Sequence, residues 1–319
     1  MLEKLDRIPT RQDIVETQEL IFEFLHYTPV MTSESLNDIS GAELFFKCEN
    51  FQKIGAFKMR GAASAAVRLT EAELERGLAT HSSGNHAQAV ARAARLLGVP
   101  AYIVMPENAP ATKIAATEGY GANIIFCAAT IEAREKTLEE VVRQTGATFI
   151  HPYDDYNVIA GQATCARELL QDVEELDTII APVGGGGLLS GTALSTRYWS
   201  PSTKVIGAEP AAVDDAWRSL QSGQIETNAT TDTIADGLRT NLGEKTFGII
   251  QMHVDDIITV SEAAIIEAMR LVWERMKIII EPSCAVPLAA VLQNRERFEA
   301  EKVGIILTGG NVDLSKLPF

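Results

Sequence analysis

The sequence predicts an α/β fold built around open, mostly parallel β-sheet. Short apolar segments alternate along the chain with segments whose apolar residues recur at helical spacing, as in parallel sheets flanked by helices. Several strand candidates are apolar throughout, such as TIIAPV at 178–183, which suits strands that are covered on both faces. With 319 residues, the chain is long enough for two domains or one large α/β unit.

Eight segments are predicted as strands because they are short and apolar. In chain order they are Leu44–Lys47, Ala79–His81, Ala101–Met105, Asn123–Cys127, Thr148–His151, Thr178–Pro182, Lys204–Ala208 and Val303–Leu307. Ligands of open parallel sheets bind beyond the carboxyl ends of the strands. The residues that follow these strands are therefore the first candidates for a functional site.

Three segments between the strand candidates have a clear helical pattern. His86–Leu97 places alanine and leucine on one face and arginine on the other, and Ile131–Gln144 and Ala263–Met276 behave similarly. The stretch 77–154 is predicted to be a compact βαβαβα unit. We therefore expect it to form a small domain inserted into a larger domain made of residues 1–76 and 155–319.

Composition and charge exclude several classes of protein. Forty-three acidic residues against 28 basic ones give a net charge of −15, which argues against a nucleic-acid partner. No stretch approaches the ~18 apolar residues of a membrane helix, and the N-terminus lacks the pattern of a secretion signal. We expect a cytoplasmic protein with no membrane partner. The four cysteines have no CxxC spacing, which predicts buried, reduced thiols, and the five histidines have no zinc-site spacing.

A run of four glycines, Gly184–Gly187, follows the predicted strand TIIAPV and opens a helical segment. Successive backbone N–H groups at a helix N-terminus favour a phosphate. A dinucleotide site is an alternative, because Gly185, Gly187 and Ser190 nearly fit the GxGxxG pattern. A tight structural turn is the third interpretation.

Three further motifs carry polar groups at comparable positions. Lys58 lies in GAFKMRGA, where it is either a desolvated nucleophilic amine or an ordinary surface lysine. Ser82–His86 follows a strand and opens a helix, so it either binds a carboxylate or simply caps the helix. Thr308 ends a strand before two glycines, facing a ligand or lying in a plain loop.

The order of these four motifs resembles the fold-type II pyridoxal-phosphate enzymes of the serine racemase, serine/threonine dehydratase and 3-hydroxyaspartate dehydratase family. The resemblance covers nearly the whole chain. It implies a tryptophan-synthase-β-like α/β fold with two open, mostly parallel sheets flanked by helices. It also implies that the small domain 77–154 closes over the substrate.

The resemblance assigns the cofactor site residue by residue. The family's Phe-Lys-x-Arg-Gly motif matches 57–61, which implies that Lys58 holds pyridoxal phosphate as a Schiff base. Thr308 matches a hydroxyl residue that meets the pyridine nitrogen; because a hydroxyl cannot keep that nitrogen protonated, the ring is a weaker electron sink and prompt loss of a β-substituent is favoured. The implied cofactor-binding residues are Phe57, Lys58, Asn85, Gly184, Gly185, Gly186, Gly187, Leu188 and Thr308.

The resemblance also implies how the substrate is held. The Ser82–His86 loop would grip the substrate carboxylate, with Asn85 also touching the ring hydroxyl of the cofactor, and Ser83 would join Lys58 as a second catalytic acid or base. Arg134 matches an arginine that can bind a distal carboxylate, although it could equally be a solvated arginine on a charged helix. The implied substrate-binding residues are Ser82, Ser83, Asn85, His86, Arg134 and Thr240.

A loop after the strand candidate at 204–208 resembles the family's divalent-cation site. Glu209 and Asp215 would supply carboxylates and Val213 its carbonyl to Mg²⁺, or to Ca²⁺ or Mn²⁺. The alternative is an acid-rich helix N-terminus.

These residues predict a pyridoxal-phosphate-dependent dehydratase, that is, a carbon–oxygen lyase that releases ammonia. The expected reaction takes water and ammonia from a β-hydroxy-α-amino acid to give a 2-oxo acid, with 3-hydroxyaspartate preferred over threonine or serine because of Arg134 and Ser83. A serine or aspartate racemase is the alternative, and an NAD-binding oxidoreductase is a remote one. Family analogy suggests a homodimer.

Overall fold

The computed structural model of the protein describes residues 3–109 and 111–319. Its strands form two sheets. The strands are β1 (Val30–Met31), β2 (Glu43–Cys48), β3 (Leu78–His81), β4 (Ala101–Pro106), β5 (Asn123–Cys127), β6 (Thr148–Phe149), β7 (Thr178–Pro182), β8 (Lys204–Pro210), β9 (Asp256–Val260) and β10 (Lys302–Leu307). The six-stranded sheet has the order β1-β2-β10-β7-β8-β9 and the four-stranded sheet the order β5-β4-β3-β6.

All strand pairs are parallel except β1 with β2, which is antiparallel. The predicted α/β class with two open, mostly parallel sheets is therefore confirmed. Each of the eight predicted strands is present, while β1 and β9 were not predicted. β1 has two residues, too few for any periodicity, and β9 is a five-residue edge strand.

Fourteen α-helices are found in the described part of the chain, and they connect and cover the strands. They are α1 (Arg11–Ile21), α2 (Glu34–Ser40), α3 (Lys58–Ala66), α4 (Glu71–Arg76), α5 (Asn85–Leu97), α6 (Ala111–Glu118), α7 (Ile131–Thr145), α8 (Tyr156–Asp172), α9 (Gly187–Trp199), α10 (Asp215–Ser222), α11 (Glu244–His253), α12 (Glu262–Leu271), α13 (Pro282–Gln293) and α14 (Arg295–Phe298).

The predicted helices at 86–97 and 131–144 are α5 and α7. The third predicted helix, 263–276, is helical over its whole length but changes type part-way. α12 ends at Leu271 and continues as a single π-helical segment, Val272–Met276, before Lys277 adopts a left-handed conformation with φ of 61°. The wider π-turn keeps Val272 and Met276 buried against the core at the point where the chain turns away.

All four strands of the smaller sheet lie between residues 78 and 149, inside the predicted insertion 77–154. The chain before this stretch and the chain after it build the six-stranded sheet. The exact division into domains at residues 76/77 and 154/155 stays a prediction.

Helices α3, α8 and α9 approach one another closely because glycines face the contacts. A Cβ atom on Gly161 of α8 would lie 2.4 Å from the carbonyl oxygen of Arg60 on α3, and one on Gly191 of α9 would lie 2.5 Å from the nitrogen of Ala163 on α8. Neither position has room for a larger residue. This packing fixes the N-terminal ends of α3 and α9, which begin at Lys58 and Gly187, relative to each other.

Two sequence expectations concern the whole molecule. All four cysteines are buried and free, as expected for reduced thiols. Within 3–109 and 111–319, no helix combines the length and the apolar character needed to cross a lipid bilayer.

Candidate active site

Three of the four motifs follow the carboxyl ends of strands. Ser82–His86 follows β3 and the glycine run follows β7, and Thr308 directly follows β10. Lys58 comes next to Thr308 because the N–H of Phe57 donates to the Thr308 carbonyl at 2.9 Å and Ala56 forms a bridge with Gly309. The fold thus joins the lysine motif to the end of β10.

Lys58 is the first residue of α3, and its side chain is only partly exposed. Its Nζ donates to the carbonyl oxygen of Pro152 at 2.8 Å. Burial lowers the pKa of the Lys58 amine to about 8. An amine with this pKa is partly unprotonated near neutral pH, which a nucleophile or a general base requires.

Arg60, two residues after Lys58, anchors α3 to its neighbours through buried charges. Its guanidinium donates to both carboxylate oxygens of Glu49 and to both of Glu168, and also to the Thr164 hydroxyl, over 2.7–3.0 Å. All five N–H donors are therefore satisfied in a fully buried setting. Lys47, also buried, adds an ion pair with Glu168 at 2.8 Å. This network therefore fixes the position of the first turn of α3, which carries Lys58, relative to α8.

The glycine run forms a buried cradle at the N-terminus of α9. Within the described residues, the N–H groups of 184–188 find no hydrogen-bond acceptor, although the segment is buried. The ring of Tyr153 covers the run so closely that a Cβ atom on Gly185 would lie 2.3 Å from it. Unpaired buried donors at the start of a helix suit an anion such as a phosphate. Thus the residues present fit the phosphate of pyridoxal phosphate.

The Ser82–His86 loop begins α5. Ser82 is anchored by its N–H, which donates to the Val104 carbonyl at 3.1 Å, and by its hydroxyl, which accepts from the Gly84 N–H. Ser83 is half-buried, and in the described residues its hydroxyl forms no hydrogen bond. Its side chain is thus available to a ligand.

His86 is placed differently from the residues before it. It is buried, and its Nε2 lies 2.9 Å from the Ile150 carbonyl oxygen. Burial lowers the pKa of the imidazole to about 3, so the ring is neutral and Nε2 donates to that carbonyl. The contact orients the loop from behind, and only Nδ1 of His86 is left for other partners.

Arg134 and Thr240 come from different parts of the structure. Arg134 lies on α7, half-buried, and within the described chain it forms no ion pair and its Nε has no partner. It is near His81, at the end of β3: burial lowers the pKa of His81, the charge of Glu135 opposes that shift, and the charge of Arg134 adds to it. Thr240 lies beside the glycine run, with its Oγ1 3.3 Å from the position of a Cβ on Gly184.

The predicted metal ligands surround the start of α10. Glu209, near the end of β8, accepts from the N–H groups of Ala216 and Trp217, and Asp215 accepts from Asn228 Nδ2 and from the Leu242 N–H. Both carboxylates are buried, as is Val213. Burial raises the pKa of Glu209 to about 9 and that of Asp215 to about 6.

This donor set suits a divalent cation in part. Buried carboxylates are costly to ionise, and a bound cation would offset that cost. No group of three or more His, Cys, Asp or Glu side chains with metal-site geometry is found in the described residues. A cation at Glu209 and Asp215 would therefore need carbonyl and water oxygens as further ligands, which Mg²⁺ and Ca²⁺ accept.

Sequence reasoning missed three residues that contact the motifs, Pro152, Tyr153 and Glu281. Asn311, in the same motif as Thr308, was given no role, although it donates to Asn85. The segment His-Pro-Tyr-Asp-Asp directly after the last predicted strand of the insertion was a possible signal, because residues after strands carry sites. Nothing in the sequence around Glu281 marks it as part of a site.

Comparison with known proteins decides the family. Residues 21–309 match the profile described as "Pyridoxal-phosphate dependent enzyme". This chain belongs to that family. The match confirms the resemblance and favours the phosphate interpretation of the glycine run over the dinucleotide one.

Similar proteins span almost the whole chain. A β-hydroxyaspartate dehydratase from Paracoccus denitrificans is 48% identical over 312 residues, 98% of this chain and 99% of that protein. An L-threo-3-hydroxyaspartate ammonia-lyase from Saccharomyces cerevisiae is 49% identical, over 97% of this chain and 95% of that protein. The crystal structure of serine racemase from Dictyostelium discoideum is 51% identical with a TM-score of 0.91, covering 96% and 99%.

Proposed function

We propose that this protein is a dehydratase that acts on 3-hydroxyaspartate and releases ammonia and a 2-oxo diacid. The observation that carries the choice of substrate is Arg134, a half-buried arginine without an ionic partner in the described residues. A guanidinium binds a carboxylate through two parallel hydrogen bonds, and a diacid substrate would supply that carboxylate. Two relatives of 48% and 49% identity that are named for hydroxyaspartate support the proposal.

Pyridoxal phosphate, when bound, withdraws electrons from the α-carbon of an attached amino acid and so acidifies its α-proton. The N–H groups of 184–188 would hold its phosphate, and Thr308 and Asn85 would meet its ring. Phe57, next to Lys58, would line the same site. The free donors of the cradle support the phosphate assignment, and the contact between Phe57 and Thr308 places these two residues side by side; the roles at the ring follow from the family.

Lys58 would remove the α-proton of the substrate as general base, because its amine has a lowered pKa and is held at the Pro152 carbonyl. The Ser82–His86 loop would bind the α-carboxylate through the Ser82 hydroxyl and its N–H groups, while Thr240 would lie near the phosphate end of the pocket. The β-hydroxyl then leaves as water, with its proton supplied by the Lys58 amine that took the α-proton, and hydrolysis of the released product gives the 2-oxo acid and ammonia. Both Lys58 and Arg134 would thus act on one small diacid.

A second candidate function is racemisation of serine or aspartate. The half-buried Ser83 hydroxyl, without a hydrogen bond in the described residues, favours it, since a racemase needs an acid or base on each face of the α-carbon. The similarity to a serine racemase supports the same candidate. Both activities would begin with the same proton removal.

The divalent cation is also proposed rather than established. Glu209, Val213 and Asp215 would hold Mg²⁺, with Ca²⁺ or Mn²⁺ as alternatives, and would stabilise the loop before α10. A homodimer and a cytoplasmic location stay predictions; size-exclusion chromatography with light scattering tests the first of them.

A substrate panel tests the function. Ammonia and 2-oxo acid release would be measured with the threo and erythro isomers of 3-hydroxyaspartate and with L-serine and L-threonine. We expect kcat/KM for one hydroxyaspartate isomer to exceed that for serine and threonine at least about tenfold, the effect of one charged hydrogen-bond pair. A higher value for serine or threonine would overturn the choice of substrate, and racemisation without elimination would favour the second candidate.

A further inference from the structure

Two residues next to the six-stranded sheet hold the side-chain amide of Asn85, one at its nitrogen and one at its oxygen. Its Nδ2 donates to Glu281 Oε1 at 2.8 Å, and its Oδ1 accepts from Asn311 Nδ2 at 2.8 Å. Asn85 begins α5, which packs on the four-stranded sheet, whereas Glu281 and Asn311 flank α13 and β10 of the six-stranded one. The amide is therefore positioned from outside its own element.

The hydrogen bonds of Asn311 decide which way the Asn85 amide points. Asn311 Nδ2 also donates to the backbone carbonyl of Ile54, at 2.7 Å, and a carbonyl can only accept. Both hydrogens of Asn311 Nδ2 are then used, one on Ile54 and one on Asn85 Oδ1. Asn85 must consequently turn its Nδ2 to Glu281, which leaves one Nδ2 hydrogen for a ligand.

Glu281 is itself held rigidly. It is 5% exposed and stands just before Pro282, the first residue of α13. Its N–H donates to the Gly309 carbonyl at 3.0 Å, and a Cβ on Gly309 would come within 2.7 Å of its Oε1. Gly309 therefore packs closely against the carboxyl group that contacts Asn85.

The charged groups near Glu281 do not compete for its hydrogen bond with Asn85. Asp236, on the short 3₁₀ segment Asp236–Leu238, and Lys113 of α6 are near enough to affect its ionisation, and they pair with each other. Burial and the charge of Asp236 raise the pKa of Glu281 to about 8. Either protonation state of the carboxyl keeps an oxygen that can accept from Asn85.

We propose that Glu281 is a positioning residue. It acts through Asn85 and directs the remaining Nδ2 hydrogen of that amide to the oxygen of the hydroxyl group on the pyridoxal phosphate ring. The inference deepens the proposed function and rests on the assignment of Asn85 to the cofactor. It assigns Glu281 no contact with the substrate. The role requires a hydrogen-bond acceptor at the position of Glu281 Oε1, and it does not require a negative charge there.

Three variants of Glu281 separate the effect of its hydrogen-bond acceptor from those of its charge and its packing. Glu281→Met keeps the side-chain length but removes the acceptor for Asn85. Glu281→Asp keeps the charge but moves the acceptor away from Asn85, and Glu281→Gln keeps the acceptor without the charge. The readouts are the absorption band of bound pyridoxal phosphate and its dissociation constant. We expect the Glu281→Met and Glu281→Asp variants to shift the absorption band as Asn85→Ala does. They should also weaken cofactor binding about tenfold, the effect of leaving one buried donor unpaired. The Glu281→Gln variant should change neither the band nor the dissociation constant.

A double variant tests whether Glu281 acts through Asn85. Adding Glu281→Met to Asn85→Ala should change the band and the dissociation constant no further, because the amide that Glu281 positions is already gone. Glu301→Ala is the matched control: this glutamate accepts from Thr178 Oγ1 at the opposite end of β10, and its loss should leave both readouts unchanged.

The outcomes are decisive in each direction. Additive effects in the double variant, or an unchanged band in both Glu281→Met and Glu281→Asp, would overturn the role of Glu281. The Asp variant keeps a polar group in the pocket, so it decides the matter if the Met variant does not fold. Failure of the unchanged protein to take up pyridoxal phosphate would instead contradict the cofactor site itself, and an unchanged band in Asn85→Ala alone would remove the assignment of Asn85.

Discussion

The Nζ atom of Lys58 lies 2.8 Å from the carbonyl oxygen of Pro152, and this contact connects the two halves of the site. Pro152 belongs to the short segment between β6 and α8. On one side of it, the Ile150 carbonyl holds His86; on the other, Tyr153 covers Gly185. One stretch of backbone therefore contacts the lysine, the serine-rich loop and the glycine cradle.

Replacing Lys58 tests its covalent role. Lys58→Ala should no longer be trapped by borohydride with pyridoxal phosphate, and turnover should fall by about 10²–10⁴-fold because the general base is lost. Mass spectrometry of the reduced protein measures the first effect. Lys53→Ala is the control, since Lys53 donates to the Glu23 carbonyl and lies away from the Pro152 contact. Trapping that persists in Lys58→Ala would place the cofactor elsewhere.

The lowered pKa of Lys58 predicts how cofactor uptake depends on pH. An amine with a pKa of about 8 is protonated below that pH and nucleophilic above it, so uptake by the cofactor-free protein should speed up as pH rises through about 8 and then level off. Stopped-flow absorbance between pH 6 and 10 measures this profile. A rate that still rises at pH 10 without levelling off, as for an exposed lysine with a pKa of 10.5, would contradict the effect of burial.

Removing Arg134 should separate diacid from monoacid substrates. Arg134→Ala is expected to lower kcat/KM for 3-hydroxyaspartate about 10- to 100-fold, the worth of a charge-assisted pair, and to leave serine turnover within a few-fold. Arg143→Ala is the matched control on the same helix, since Arg143 is exposed and pairs with Glu140. Equal losses for both substrates would show that Arg134 supports the fold rather than a distal carboxylate.

Ser83 distinguishes racemisation from elimination. Ser83→Ala should lower interconversion of L- and D-serine about 100-fold, because one of two acid–base groups is lost, while release of 2-oxo acid from the L-isomer stays within a few-fold. Chiral chromatography and an ammonia assay follow the two products. A parallel fall of both activities would argue against a separate role for this hydroxyl.

The cation site predicts a thermal response. Mg²⁺ added to chelator-treated protein should raise Tm, since a ligand that binds only the folded state stabilises it. Glu209→Ala should abolish the response. Asp214→Asn should keep it, because the Asp214 carboxylate pairs with Arg218 and belongs to no proposed ligand set. If Mg²⁺ does not change the Tm of the unchanged protein, the proposed cation site is wrong.

The sequence allowed the fold class to be predicted because its strands are short and mostly apolar and alternate with helices. It also allowed the loops of the site to be predicted, since Gly184 and Thr308 follow strands and occur with Lys58 in a recognisable order along the chain. It could not reveal Glu281, because a single glutamate before a proline carries no periodicity and no motif. Its contact with Asn85 spans 196 positions and exists only once both sheets are assembled.

The end of α12 shows the same limit at a local scale. The apolar pattern continues from 263 to 276, yet the helix widens at Val272. Helical periodicity at 3.6 residues cannot distinguish the last α-turn from a π-turn when both keep Val272 and Met276 buried.

The glycine contacts of α3, α8 and α9 bear on how this scaffold could diversify. Because a single methyl group at Gly161 or Gly191 would collide with backbone atoms, the helices that present Lys58 and the cradle form a block that tolerates almost no adjustment. New substrate preferences would have to come from the facing side, where Ser83 and Arg134 lie. Laboratory evolution of this enzyme should therefore accumulate useful mutations in the smaller sheet's helices and loops and spare the glycine-packed helices.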